Sequence, residues 1–264
     1  MIKKIYILGP KFSYSYNLAL ANYKNKSIVA VNSICDVFLN LNNESRGIVP
    51  IENMLNGSVR ETFLSLQKNK ICIFKSFDYK ISHILAGQKK NFTTVMSHAQ
   101  ALIQCSDYIN FLRNKGIEIM EVSSTSRAME VAGKNKKVVA IGSEEAANFY
   151  KLKVLRKKIT NKKNNFTRFI EIGVGPCLVD GDKTSLIITP QEDRSGLLFE
   201  ILSIFKIKDL NLSKIESIPT GKKMNDYIFY VDIETDMKNK KMREAIKFLQ
   251  TFVKVDVLGS YKVF

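Results

Sequence analysis

Long apolar runs are missing from this 264-residue chain, none approaching the ~18 residues of a membrane span. Glycine and proline are scarce, at 13 and 5 residues, while 45% of the chain is hydrophobic, which excludes a fibrous or disordered protein. The four cysteines, Cys35, Cys72, Cys105 and Cys177, form no C-x-x-C pair, and the two histidines, His83 and His98, share no ligand spacing with them. Neither a metal centre nor a disulfide framework is therefore expected, and the thiols read as buried and free. Acidic residues are also few, 25 against 41 basic ones, for a net charge of +16. The basic residues are 33 lysines and only 8 arginines, scattered in pairs such as Lys89-Lys90 and Lys240-Lys241. Nucleic-acid readers concentrate arginine in one element and interleave aromatics, so the charge reads as solvated surface that helps attract an anionic substrate. The N-terminal Met1–Pro10 has too short an apolar stretch for a leader and reads as a first strand. These features together suggest a soluble, cytoplasmic globular protein with no membrane or nucleic-acid partner.

What is present is an alternation of short β-type runs with amphipathic segments. Strands are expected at Ile5–Leu8, Ile28–Val31, Gly47–Ile51, Val95–Ser97, Glu118–Val122, Val138–Ile141 and Arg168–Ile172. Between them, Val59, Phe63 and Leu66 and then Ala101, Cys105, Ile109 and Leu112 fall at helical spacing, with a Ser58/Glu61 capping box opening the first helix. This is an α/β pattern with a largely parallel sheet, long enough for two lobes. After the linker signals Gly173-Val174-Gly175-Pro176 and Val179-Asp180-Gly181-Asp182 the order changes. Strand Thr184–Thr189, helix Ser195–Lys206, strands Asn211–Ile218 and Asp226–Glu234, helix Asn239–Phe252 and strand Val255–Gly259 make a ferredoxin-like βαββαβ unit.

Several strands end in small polar residues where a helix begins: Glu52-Asn53, Ser97-His98, Ser123-Ser124-Thr125 and Gly142-Ser143-Glu144. Ligands bind beyond the carboxyl ends of strands in open α/β sheets, and helix N-termini there favour anions. Each such residue alone is better read as a helix cap, and it is the four junctions together that suggest a pocket. Thr167-Arg168 enters an apolar strand after a Lys/Asn-rich loop, suited either to clamp a carboxylate and bond a reacting oxygen or to form an ordinary edge.

These stretches in order, together with Gly47-Ile48-Val49-Pro50-Ile51-Glu52-Asn53, Asn56-Gly57-Ser58-Val59, Ser97-His98-Ala99-Gln100-Ala101-Leu102 with Gln104-Cys105, Asn165-Phe166-Thr167-Arg168-Phe169, Arg194-Ser195-Gly196-Leu197-Leu198 and Lys214-Ile215-Glu216-Ser217, give a chain that resembles the prephenate dehydratase family with its C-terminal ACT regulatory domain. The resemblance implies a bilobal, periplasmic-binding-protein-like α/β catalytic unit over 1–178 and a ferredoxin-like ACT domain over 184–264. The lobes would be roughly 1–79 with 160–178, and 80–159, crossed near Asp78–Lys80 and Ile159–Asn164. The implied activity is a hydro-lyase reaction without cofactor or metal, converting prephenate to phenylpyruvate in L-phenylalanine biosynthesis. Thr167 would serve the departing hydroxyl and Arg168 would clamp a carboxylate. Asn53, Ser97, His98, Ser123, Ser124, Thr125 and Phe169 would line the substrate site. L-Phenylalanine, as feedback inhibitor, would meet Ser195, Gly196, Leu197, Leu198, Glu216 and Ser217, in a homodimer or homotetramer. Arogenate dehydration, or a non-catalytic sensor of anions and amino acids, are the alternatives.

Departures from the family pattern bear on that choice. Its first loop, Gly-Pro-x-Gly-Thr-Phe-Ser, reads here as a shortened Gly9-Pro10-Lys11-Phe12-Ser13. Met54 stands for a serine, Asn161-Lys162 for Asp-Asn, Ser195 for a proline and Ile218 for an arginine. The catalytic-domain changes are expected at substrate contacts, and those in the ACT domain to weaken phenylalanine binding.

Overall fold

In the computed structural model, residues 1–192, 194–220 and 226–264 are described. The first lobe is built from β1 (Lys4–Leu8), α1 (Tyr14–Asn22), β2 (Ser27–Val31), α2 (Ile34–Leu39), β3 (Ser45–Asn53), the short β4 (Gly57–Ser58), α3 (Arg60–Lys68) and β5 (Cys72–Lys80). β1 alternates as a half-covered strand should, with Ile5 and Ile7 fully buried, and pairs in parallel with β2 and β3. The chain then crosses at 81–83 into the second lobe. There lie β6 (Ile84–Gly87), β7 (Thr94–Ser97), α4 (Ala99–Gln104), α5 (Ser106–Arg113), β8 (Glu118–Glu121), α6 (Thr125–Lys134), β9 (Val138–Gly142), α7 (Glu144–Phe149) and β10 (Lys153–Arg156). Its sheet runs β10-β6-β9-β7-β8, and the central β9 is buried along its whole length, as a strand covered by helices on both faces must be. Residues 157–165 return to the first lobe, where β11 (Phe166–Gly173) inserts antiparallel between β3 and β5. The chain thus passes twice between the two sheets.

The C-terminal unit follows as β12 (Lys183–Pro190), α8 (Leu197–Ile207), β13 (Leu212–Pro219), β14 (Tyr227–Ile233), α9 (Lys240–Leu249) and β15 (Val253–Val263), the expected βαββαβ order. Met242, Ala245, Ile246 and Leu249 of α9 are buried together against the sheet, a stripe at i, i+3, i+4 and i+7. The other face of this sheet is not solvated. Ile187, Ile218, Ile228, Tyr230 and Tyr261 pack into one core with Phe63 and Leu66 of α3 and Ile170 and Ile172 of β11. β15 runs past the expected Gly259, and Lys262 and Val263 pair in parallel with Lys75 and Ser76 of β5, joining both units in one continuous sheet.

Other local expectations fail for identifiable reasons. Ser58 and Glu61 form no capping box: Val59 is the N-cap of α3 without a side-chain bond, because Ser58 belongs to β4 and turns its hydroxyl to Glu216 (2.6 Å). The capping box forms instead at Ser33 and Asp36 on α2. The thiols are not all buried and free. Cys72 at the start of β5 is bridged to Cys177 of the linker, their Cα atoms 5.1 Å apart across 105 residues, and Cys35 is exposed. Only Cys105 is a buried free thiol, which burial pushes up to a pKa of about 12.

Candidate active site

A cavity of about 260 Å³ opens between the lobes at the ends of β1, β3 and β11. Leu8 at the end of β1, Gly9 and Ser13 of the loop that follows, and Tyr14 and Ser15 at the start of α1 line one side. His98, Gln100, Gln104, Ser123, Ser124 and Thr125 of the second lobe line the other, and Asn53, Thr167 and Phe169 lie at its base. Thr167 and Phe169 share this face because they are two residues apart on a strand.

One chain of hydrogen bonds organises the base. Asn53 Oδ1 accepts from the backbone N–H groups of Leu55 and Asn56 (3.1 Å each) and from Asn56 Nδ2 (2.8 Å). The amide is thereby oriented, and its Nδ2 donates to Thr167 Oγ1 and Asn165 Oδ1, both at 2.9 Å, with Phe166 O at 3.3 Å. Asn165, 1% exposed, must then turn its Nδ2 to Gln104 Oε1 (3.0 Å). Since that oxygen accepts, His83 Nε2, 2.9 Å away, carries a proton. Burial lowers the His83 pKa from its ordinary value, with the Gln104 bond opposing, so the ring is the neutral Nε2–H tautomer. Its Nδ1 lies 3.0 Å from the Tyr14 hydroxyl, whose pKa is raised well above normal by burial and which also reaches Ser82 O (2.8 Å). Among the described residues nothing accepts the Thr167 hydroxyl hydrogen or the Gln104 Nε2 hydrogens, which leaves both as donors for a ligand.

The second lobe adds a helix start. Ser124 caps α6 by accepting from the Arg127 N–H (3.0 Å), so Ser123 and Thr125 stand in the cavity beside the positive end of that helix. His98 caps α4, its Nδ1 accepting from the Gln100 N–H (3.3 Å), which places the neutral ring's proton on Nε2. The residues lining the cavity include no lysine, arginine, aspartate or glutamate. Among the described residues no group of three His, Cys, Asp or Glu side chains is placed to hold a metal.

Seven of the nine expected catalytic-unit residues therefore meet at this cavity, and two do not. Arg168 points to the opposite face of β11, where Nε and Nη2 bond the two Asp78 carboxylate oxygens (2.8 and 3.2 Å) and Nη1 lies 3.7 Å from Glu52. It clamps protein carboxylates, not a ligand. Ser97 is fully buried and gives its hydroxyl to Ile141 O (2.7 Å), tying β7 to β9. Tyr14, Ser15, His83, Gln100 and Gln104 join the lining beyond the expected residues; the i, i+4 spacing of Gln100 and Gln104 on one face of α4 is the sequence signal for the last two.

The departures also fall differently. The first loop is not shortened: Phe12 has φ +64, the left-handed conformation that suits the pattern's glycine, so Ser13-Tyr14-Ser15 stand where Thr-Phe-Ser is usual. Ser13 caps α1, and Phe12 stacks on Phe149 of the second lobe, ring centroids 3.7 Å apart. Met54 is exposed outside the cavity, and Asn161 bonds the first turn of α5, accepting from the Asp107 N–H (3.3 Å) and donating to Ser106 Oγ (2.7 Å). Neither is a cavity contact.

In the C-terminal unit a second cavity, about 250 Å³, is lined by Gly196, Leu197, Leu198 and Ser217 with Arg194, Asp226, Tyr227 and Phe229. Gly196, the N-cap of α8, has φ +82, a conformation glycine adopts freely. Ser195 is exposed outside this lining. Glu216 faces the other side of its strand and accepts from Ser58 of the first lobe, so it is an interdomain contact, not a lining residue.

Residues 5–176 match the family described as "Prephenate dehydratase", and residues 186–250 match "ACT domain". A prephenate dehydratase of Methanocaldococcus jannaschii is 40% identical over 243 residues, 88% of this chain and 87% of that one. The crystal structure of prephenate dehydratase from Staphylococcus aureus subsp. aureus Mu50 superposes with a TM-score of 0.86 at 25% identity, covering 98% of this chain and 99% of that one. A prephenate dehydratase from Arthrobacter aurescens, solved in complex with L-Phe, has the same fold with a TM-score of 0.84 at 23% identity, covering 98% and 90%.

Proposed function

Because the chain belongs to the prephenate dehydratase family and carries an ACT domain behind its catalytic unit, we propose that its interlobe cavity converts prephenate to phenylpyruvate and that its ACT cavity takes L-phenylalanine as feedback inhibitor. We assign residues 1–178 to the two-lobed catalytic unit and 184–264 to the regulatory domain. The reaction breaks the ring–carboxylate bond, sends its electron pair into the ring and expels the para hydroxyl, which takes a proton from solvent and leaves as water. Restored aromaticity supplies much of the driving force. The protein must hold the pyruvyl carboxylate, stabilise the departing oxygen and leave the ring carboxylate without a cation to hold it in place.

A cavity of neutral donors without charged side chains, its base fixed by the Asn53–Thr167 bond, is the observation that carries this reading. Thr167 offers its hydrogen to the departing oxygen, and its weak acidity makes this charge stabilisation, not full proton donation. Ser123, Thr125, Gln104 and the start of α6 suit the pyruvyl carboxylate, with His98 a further donor.

The same cavity favours prephenate over arogenate, because it lacks the carboxylate that arogenate's ammonium would need. An ammonium desolvated without a partner is penalised by several kcal/mol, so kcat/KM for prephenate should exceed that for arogenate by about 100-fold or more. Comparable values, or a preference for arogenate, would refute the assignment.

For L-phenylalanine, the cavity holds charges of both signs at Arg194, which is paired with Glu200, and Asp226, which accepts from Thr220, and Leu197, Leu198 and Phe229 offer apolar surface. A homodimer or homotetramer belongs to the same reading, supported by β13 being the terminal strand of its sheet and by exposed Ile215 on that strand and Phe199 on α8. So does a cytoplasmic setting, which rests on the biosynthetic role.

A further inference from the structure

β3 and β11 pair so that Asn53 stands opposite Thr167 and Glu52 opposite Arg168. The first pair faces the substrate cavity; the second faces the ACT sheet. β13 alternates in the same way. Ser217 lines the amino-acid cavity, while Lys214 and Glu216 face the catalytic unit. Lys214 Nζ lies 2.9 Å from Glu52 Oε1, 3.1 Å from Ser58 Oγ and 3.6 Å from Glu216 Oε2, with its side chain only 9% exposed. Ser58 also donates to Glu216 (2.6 Å) and is the partner of Glu52 in the β3–β4 pairing. The two cavities are therefore joined by one continuous set of charges, one residue away from each.

From this arrangement we infer that Lys214 is a positioning residue that couples occupancy of the ACT cavity to the Asn53–Thr167 pair through Glu52. A buried ammonium cannot leave its carboxylates without remaining buried and unpaired, so it moves with them when β13 moves. Glu52 lies where the strand can yield: pairing with β11 shifts register between Arg168 and Phe169, which face Glu52 and Pro50 and leave Ile51 as an extra residue. Such a bulge converts a small pull into a re-aimed side chain, and the next residue is Asn53. Arg168, held by Asp78 and 3.7 Å from Glu52, anchors the far end of the set.

This inference rests on the phenylalanine reading above, and one experiment separates the two. In the full-length protein, L-phenylalanine binding is measured by calorimetry, and kcat and KM for prephenate are measured with and without saturating L-phenylalanine. Wild type should bind, and its kcat/KM should fall about 5-fold or more. Lys214→Met should still bind and keep its basal kcat, yet lose the response to within about twofold, and Lys214→Arg should restore it. Glu216→Gln, which keeps the shape of that side chain, should weaken the response as a second variant. If either Lys214→Met or Glu216→Gln binds phenylalanine and remains inhibited as wild type is, the coupling role is overturned. A wild type that binds no phenylalanine refutes the ligand assignment itself, and the coupling role with it.

Discussion

Replacing Thr167 by valine keeps the branched shape and removes one oxygen. In the folded protein the loss is small. The two Nδ2 hydrogens of Asn53 still have Asn165 Oδ1 at 2.9 Å and Phe166 O at 3.3 Å, so no buried donor is orphaned. Stability should fall by no more than about 1 kcal/mol, the net worth of one neutral hydrogen bond. In the transition state the loss is large, because the missing hydrogen is the one aimed at the oxygen on which charge develops. A preorganised donor of that kind is worth about 3 kcal/mol, or roughly 100-fold to 1000-fold in kcat. Thr167→Ser, which keeps the hydroxyl, should retain most of the activity. Phenylpyruvate formation from prephenate, followed beside a urea unfolding curve, gives both numbers. A Thr167→Val enzyme with near-normal kcat and unchanged stability would refute the role given to this hydroxyl.

Three other consequences are as direct. Unreduced protein should present one fast-reacting thiol, Cys35, when native and a second, Cys105, when denatured; all four should appear only after reduction, and four in the unreduced denatured chain would exclude the Cys72–Cys177 bridge. Because burial lowers the His83 pKa in the folded state, the unfolded ring takes up its proton first as pH falls. The stability this ring contributes is therefore complete above about pH 6.5 and is lost as pH drops through the lower folded value. Thermal unfolding should show that limb in wild type and not in His83→Gln. Phe12→Gly removes about 1–2 kcal/mol of left-handed backbone cost but also ring contacts with Phe149, Tyr16 and Tyr150, each worth about 1 kcal/mol, so the variant should be less stable by about 1–2 kcal/mol in urea unfolding, and a gain in stability would refute the packing role of this ring.

Strand periodicity carried much of the fold. Ile5 and Ile7, or Met242 through Leu249, declare their buried faces in sequence, and the βαββαβ order was legible from the same signals. At the site, small polar residues at strand ends marked the cavity, and the structure brings Asn53, His98, Ser123, Ser124, Thr125, Thr167 and Phe169 together there. The errors at Arg168 and Glu216 have one origin. Neighbouring residues on a strand face opposite ways, so a motif read as a contiguous word, Thr-Arg or Glu-Ser, mixes a residue of the site with one of the interface. The period-2 rule could have separated them. The Cys72–Cys177 bridge and the Asn165–Gln104–His83 chain could not have been read, since they join segments 105, 61 and 21 residues apart that only the tertiary fold brings together. The first loop was misaligned because a phenylalanine occupies a left-handed position where a glycine marks the register.

A cavity lined by no charged side chain should dehydrate and decarboxylate prephenate. The most direct test is the steady-state formation of phenylpyruvate and carbon dioxide from prephenate by the purified full-length protein. One phenylpyruvate per carbon dioxide, at a rate that collapses in Thr167→Val, is the predicted result. No phenylpyruvate above the uncatalysed rate, or turnover indifferent to Thr167, would contradict it.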